Sequence, residues 1–163
     1  MPPNNAASDS AVLLARLKLE NLAWQSLLDV LQEEESALIA GDADRVALLN
    51  TAKLAQLQCV SDHARGRHGE LLAAGHTPDH AGMNAWLAQI GLPDLNTRWQ
   101  QLCAMEQEAR AMNQRIGSLI DLRLASTRQA LNVLIHSATH QGGLYDHDGL
   151  AVAAHKGKPL TAA

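Results

Sequence analysis

The sequence has very few aromatic residues: no Phe, one Tyr and three Trp among 163 residues. β-Branched residues are also scarce, and because both groups favour strands, their scarcity argues against a β-sheet. Ala, Leu, Gln, Glu and Arg dominate instead, and these residues favour helix. The composition therefore predicts an all-α protein, and the length indicates one domain with a real core.

A surplus of basic charge is lacking too. The chain has 13 Lys and Arg against 17 Asp and Glu, a net charge of −4, which argues against a nucleic-acid or anionic-membrane partner. The longest unbroken apolar run is Ala11–Ala15, far short of the ~20 residues of a membrane span. The N-terminus also lacks the basic and apolar regions of a secretory signal. We therefore expect a cytoplasmic protein without membrane insertion.

Apolar residues at alternating spacings of three and four predict a first long helix over about 9–39, capped by Ser8 or Ser10. Asn21 and Glu35 are polar breaks in its stripe. A second helix begins after Gly41, with Asp42 or Asp44 as its cap, and ends near Gly75. Its apolar stripe is weaker, because Lys53 and Arg67 stand at positions of the stripe where apolar residues are expected. Since the break is short, the two helices are expected to be antiparallel neighbours.

Thr77 and Pro78 predict a cap and the first position of a short helix that runs to about Ile90. A third long helix follows from 94 or 95 to about 136. The predicted fold is an antiparallel bundle of three long helices, coiled-coil-like, with one short connecting helix. We divide the chain into a disordered N-terminus (1–8), a helical bundle (9–138) and a flexible, glycine-rich C-terminal tail (139–163).

The third helix is longer than its neighbours, with about 40 residues or ~60 Å against ~45 Å. Its C-terminal part, around 119–134, is therefore expected to extend past them. This part has two apolar stripes, one with Ile120, Leu124, Leu131 and Leu134 and one with Leu119, Leu122, Ala130 and Val133. Two interpretations stay open: the helix packs between the other two, or one stripe binds a partner.

No residue pattern indicates catalysis. None of the eight histidines has Glu or Asp three residues before it, the spacing of helical carboxylate–metal sites, and no serine lies in a nucleophile motif. Cys59 and Cys103 lie in helical patterns and are predicted to be free, partly buried thiols. Arg65, Arg67 and His68 are interpreted as a solvated helix end. We expect no enzyme activity, no metal and no cofactor.

The only tyrosine, Tyr145, lies in the predicted tail. A large ring with a hydroxyl suits a docking anchor, and the alternative is that it folds back on the bundle.

Two segments carry a family resemblance: Met112-Asn113-Gln114-Arg115-Ile116-Gly117-Ser118-Leu119-Ile120, continuing through Arg128–Leu134, and Leu144-Tyr145-Asp146-His147-Asp148-Gly149. They resemble the C-terminal half of the FlgN family of flagellar type III export chaperones. The resemblance implies a cytoplasmic chaperone that binds the C-terminal amphipathic helix of hook-associated proteins, prevents their premature association and presents them to the export gate.

The resemblance also assigns roles to residues. Asn113 and Gly117 match the family's helix motif, whereas Ile116 stands where relatives often have Asn. Tyr145 and Gly149 match the tail motif, which is implicated in export-gate docking. On the apolar stripes of the third helix we predict a client surface of Leu119, Leu122, Leu124, Ala130, Leu131 and Val133. The alternative function is a structural or adaptor bundle that self-associates through the same stripes; the oligomeric state is not predicted.

Overall fold

The structure is a computed structural model, and it describes residues 4–141, with side chains for residues 10–139. It consists of four helices: α1 (Asn4–Ala40), α2 (Ala43–Ala73), α3 (His80–Ile90) and α4 (Pro93–Gln141). The described residues contain no strand, so the predicted all-α fold of three long helices and one short helix is confirmed. The chain divides into two compact units, Met1–Ile120 and Asp121–Ala163, which are described separately below.

The helix ends follow local hydrogen-bonding chemistry. Asp42 is the N-cap of α2, and its carboxylate accepts a hydrogen bond from the backbone N–H of Arg45 at 2.9 Å. Gly75 and Gly91 follow α2 and α3 with φ of 79° and 70°, the left-handed conformation that glycine adopts without steric cost. The predictions of Asp42 as a cap, of a second helix that ends near Gly75 and of a short helix that runs to about Ile90 are therefore confirmed.

Two predicted caps are wrong. α1 begins at Asn4, so Ser8 and Ser10 lie inside the helix and do not cap it. The N-cap of α3 is Asp79, whose carboxylate accepts from the N–H of Gly82 at 2.7 Å, while the Thr77 hydroxyl donates to that carboxylate at 2.8 Å. A carboxylate at a helix N-terminus is a stronger acceptor than a hydroxyl and also interacts favourably with the helix dipole. Thr77 therefore supports the cap.

The same hydrogen bonds make the α3 cap pH-dependent. The Gly82 N–H and the Thr77 hydroxyl lower the pKa of Asp79 below its ordinary value. Because the folded-state pKa is depressed, the stabilisation is present above the unfolded-state pKa and is lost as the pH falls through the folded-state value. We expect Asp79→Asn to be less stable than wild type at neutral pH, with the difference shrinking below about pH 4. Thermal melts followed by circular dichroism across this range test it; a constant difference would contradict it.

The buried side chains of the first unit form two clusters along its length. Core A contains Leu27, Leu28 and Leu31 of α1, Val60 of α2, and Ala109, Met112 and Ile116 of α4, among others. Core B contains Leu13 and Leu17 of α1, Leu71 of α2, Met83 and Leu87 of α3, and Leu95, Trp99 and Leu102 of α4. Trp24 is partly buried and packs against both cores. The short helix α3 thus covers the beginning of α4.

Charged side chains are buried between α1 and α2 at regular intervals. Along one line of α1, leucine and glutamate alternate every seven residues, and all four side chains are at least 96% buried. These residues are Leu13, Glu20, Leu27 and Glu34. The facing line on α2 contains Lys53, Val60 and Arg67. Glu34 pairs with Lys53 at 2.9 Å, and both Glu20 oxygens accept from Arg67, at 2.9 and 3.1 Å. We call these two pairs and the Leu27 and Val60 layer between them the ionic ladder.

The ionic ladder corrects the interpretation of Arg67 as part of a solvated helix end. Arg67 is 7% exposed, and its guanidinium lies over the Trp99 ring at 4.9 Å from the centroid. Lys53 and Arg67 weaken the apolar stripe of α2 when that helix is considered alone. In the structure, each of them pairs with a glutamate of α1. The pairing also shows that α1 and α2 are antiparallel, because the later residue of α1 pairs with the earlier residue of α2.

Candidate partner-binding surface

The part of α4 that belongs to the second unit is a helix of exposed side chains. Its sequence from Asp121 to Thr139 contains no glycine or proline, and Ala, Leu, Arg and Gln support helix formation. The hydroxyls of Thr127, Ser137 and Thr139 donate to carbonyls within the helix, for example Thr127 to Arg123 at 2.9 Å and Thr139 to Ile135 at 3.0 Å. These polar atoms are therefore satisfied locally.

This segment exposes an unusual amount of aliphatic surface. Every described side chain from 121 to 139 is exposed. Six large aliphatic residues are among them, with 49–67% of their surface accessible: Leu122, Leu124, Leu131, Val133, Leu134 and Ile135. Fully burying one such side chain contributes about 1.5–3 kcal/mol. Together they supply a strong driving force for covering the helix with apolar groups of a partner.

The predicted client residues are distributed over both units. Leu122, Leu124, Ala130, Leu131 and Val133 are exposed in the second unit. Leu119 belongs to the first unit, where it is partly buried and packs against core A. At 3.6 residues per turn, Leu122 and Val133 share one face, while Leu124 and Leu131 share another on nearly the opposite side. The six residues therefore do not form one continuous stripe.

The residues of the family motifs have different environments. Asn113 and Gly117 are exposed on α4, whereas Ile116 is 1% exposed and lies in core A. The isoleucine that stands at the departure from the family pattern is thus a packing residue. Tyr145 and Gly149, the two residues predicted to dock at the export gate, lie outside the described residues.

The cysteines are free, but they differ in environment. Cys59 is exposed and Cys103 is half-buried, so the prediction of partial burial is confirmed for Cys103 and wrong for Cys59. Burial raises the pKa of the Cys103 thiol, and the negative charge of Glu106 raises it further. A raised pKa disfavours the reactive thiolate at neutral pH. The Cys103 sulfur lies 3.7 Å from His80 Nδ1. Because the pKa of the thiol is raised despite this contact, the histidine does not activate Cys103 as a nucleophile.

The rest of the described surface has open grooves but no metal-binding cluster. Among the described residues, no three His, Cys, Asp or Glu side chains are grouped so that they hold a metal ion. One groove of about 640 Å³ between α1 and α4 is open to solvent and is lined by Leu22, Met105 and Arg98, among others. Across residues 4–141, no helix combines the length and apolar character of a membrane span.

Fold and surface together define a class: a helical bundle whose last helix exposes large aliphatic residues in its described C-terminal part. The family comparison is specific. The model of the FlgN protein family matches residues 9–153, which is most of the chain. The chain belongs to the FlgN family, a family of flagellar export chaperones rather than enzymes. It matches no curated protein and no solved structure.

The Glu20–Arg67 pair is not among the predictions above, although the sequence carries a signal for it. Glu20 and Glu34 stand in one line with Leu13 and Leu27 at seven-residue spacing, so a position occupied by leucine in two repeats is occupied by an acid in the other two. Lys53 and Arg67 repeat at the same fourteen-residue interval on α2. Matching these two intervals predicts the pairing from sequence.

Proposed function

We propose that this chain is a cytoplasmic export chaperone that binds the C-terminal amphipathic helix of hook-associated proteins. By covering that helix it prevents their premature association. The observation that carries the proposal is the exposure of every described side chain from 121 to 139, although six large aliphatic residues are among them. Membership of the FlgN family supports the choice of client.

The proposed client surface comprises Leu119, Leu122, Leu124, Ala130, Leu131 and Val133. Because these residues lie on two nearly opposite faces of α4, the client covers them with more than one segment: its C-terminal amphipathic helix packs along one face, in a common mode of helix recognition, and adjoining apolar residues of the client cover the other. Because no deep pocket encloses the client, dissociation requires no opening of the bundle. Reversible binding of this kind suits a chaperone that must release its client for export.

Co-purification tests the proposal directly. We expect the full chain to capture a hook-associated protein and to lose it when the client's C-terminal helix is removed. Capture that does not depend on this helix would contradict the proposed mode of binding. Concentration-dependent mass in light scattering without any client, together with absence of capture, would favour the alternative of a self-associating bundle.

A separate role at the export gate is proposed for Tyr145 and Gly149, on the basis of the family's tail motif. We expect Tyr145→Ala to weaken binding to the export gate by about tenfold or more, the effect of removing an aromatic anchor, and to leave client binding within about twofold. Separate pull-downs with the export-gate protein and with the client measure the two effects. Equal loss in both would contradict this division of roles.

A further inference from the structure

The second unit presents a regular apolar line along its exposed helix. Leu124, Thr127, Leu131 and Leu134 follow one another at spacings of three, four and three, which is the core pattern of a coiled coil. All four are exposed, and the three leucines have 49–64% of their surface accessible. We call these four residues the apolar seam.

Arginines border the apolar seam on both sides. Arg123 directly precedes Leu124, and Arg128 directly follows Thr127, so that in helical projection they lie on opposite flanks of the line. In a coiled coil these are the positions that face the charged residues of the partner. The segment 121–139 contains one acidic residue, Asp121, against these two arginines, whereas the whole chain has a net charge of −4. The seam is therefore a locally basic, apolar surface.

Arginine at the two flanking positions favours one kind of partner helix. The methylene groups of arginine cover neighbouring apolar surface while the guanidinium stays in contact with water. The guanidinium also presents a planar set of donors that matches a carboxylate in two-point hydrogen bonding. Two such groups around an apolar line favour a helix with carboxylates at the edges of its own apolar stripe and disfavour a helix with lysines there.

Resting on the proposed function, we propose that the partner of the apolar seam is an amphipathic helix bordered by Asp or Glu, and that Arg123 and Arg128 select it by charge. The same arrangement discriminates against self-pairing. In a parallel, in-register pair of two copies, Arg123 of one copy faces Arg128 of the other, and like charges at these positions repel. The seam is thus suited to a foreign acidic helix over a parallel second copy.

Two synthetic helical peptides of three heptads test the proposal. Both have leucine at the core positions; one has glutamate and the other has lysine at the flanking positions. We expect fluorescence polarisation to give about tenfold tighter binding of the glutamate peptide to the full chain at low salt. The preference is expected to vanish near 1 M salt, where the Debye length is about 3 Å.

Charge reversal provides the matched variants. We expect Arg123→Glu/Arg128→Glu to bind the lysine peptide more tightly than the glutamate peptide. Arg45→Glu/Arg65→Glu introduces the same change in net charge on α2, where both side chains are at least half exposed, and is expected to keep the wild-type preference. If both variants bound the lysine peptide more tightly, net charge alone would explain the preference, and the proposal would be overturned.

The failure of this inference is distinguishable from the failure of the proposed function. If the two peptides bind equally well while the chain still captures a hook-associated protein through its C-terminal helix, the charge selection is wrong and the chaperone function stands. If the client is not captured while the glutamate peptide is preferred, the function is wrong and the charge selection stands. Light scattering that shows a dimer dissociated by neither peptide would overturn the assignment of the seam to a foreign helix.

Discussion

Replacing Leu122 and Val133 with aspartate is expected to reduce client capture by about a hundredfold or more. Both side chains are more than 60% exposed, so the free protein keeps its packing, and aspartate in a helix costs only about 0.7 kcal/mol relative to alanine. In the complex, two carboxylates enter an apolar contact without partners, which costs far more. Pull-down of a hook-associated protein measures the loss, and circular dichroism shows that helicity is kept.

A matched control separates the surface from a general effect of added negative charge. Leu48 and Leu54 on α2 are 67% and 62% exposed, close to the values of Leu122 and Val133. We expect Leu48→Asp/Leu54→Asp to capture the client as wild type does. Undiminished capture by the Leu122→Asp/Val133→Asp variant would remove this face of α4 from the client surface, and equal loss in both variants would show that charge alone decides.

Glu20→Ala is expected to lower the free energy of unfolding by about 3–5 kcal/mol, because it leaves the buried guanidinium of Arg67 without its carboxylate. Neither side chain of this pair is more than 8% exposed, so water does not replace the lost partner. For a domain of ordinary stability, about 5–15 kcal/mol, this is a large fraction of the total. Urea denaturation followed by circular dichroism measures it.

Two further variants identify the cause of that loss. Glu20→Leu/Arg67→Leu removes both charges and is expected to recover most of the stability, since apolar replacement of a whole buried pair is often neutral or stabilising. Glu33→Ala breaks the exposed pair with Arg45, in which both side chains are at least half exposed, and we expect a change below about 1 kcal/mol. A double variant as unstable as Glu20→Ala would show that packing, not charge, explains the effect.

Most of the fold follows from the sequence because helix formation and packing leave a periodic record. The spacing of Leu17, Leu28 and Leu31 predicts α1, and these residues are buried. Glycines with positive φ end α2 and α3 where the sequence places them. The start of α3 is harder to predict, because Thr77 and Asp79 are both good caps. The geometry of the turn, in which Asp79 accepts from the Gly82 N–H, decides between them.

The surface is only partly predictable for a physical reason. Periodicity shows which residues share a face, but not which face another helix of the same chain covers. Leu119 and Leu122 have the same side chain three residues apart, yet Leu119 packs against core A and Leu122 is exposed. Arg67 shows the converse problem, since a charge in an apolar line indicates solvent exposure until its partner on another helix is known.

The ionic ladder restricts which helices pair with α1. A shift of α2 by seven residues places Glu20 opposite Val60 and Leu27 opposite Lys53, so that buried charges oppose aliphatic groups at each layer. A leucine-rich helix from a client meets the same obstacle, because it offers no cation to Glu20 or Glu34. The buried charges therefore disfavour replacement of α2 by an apolar helix from another protein, and they protect the α1–α2 hairpin against invasion by a bound partner.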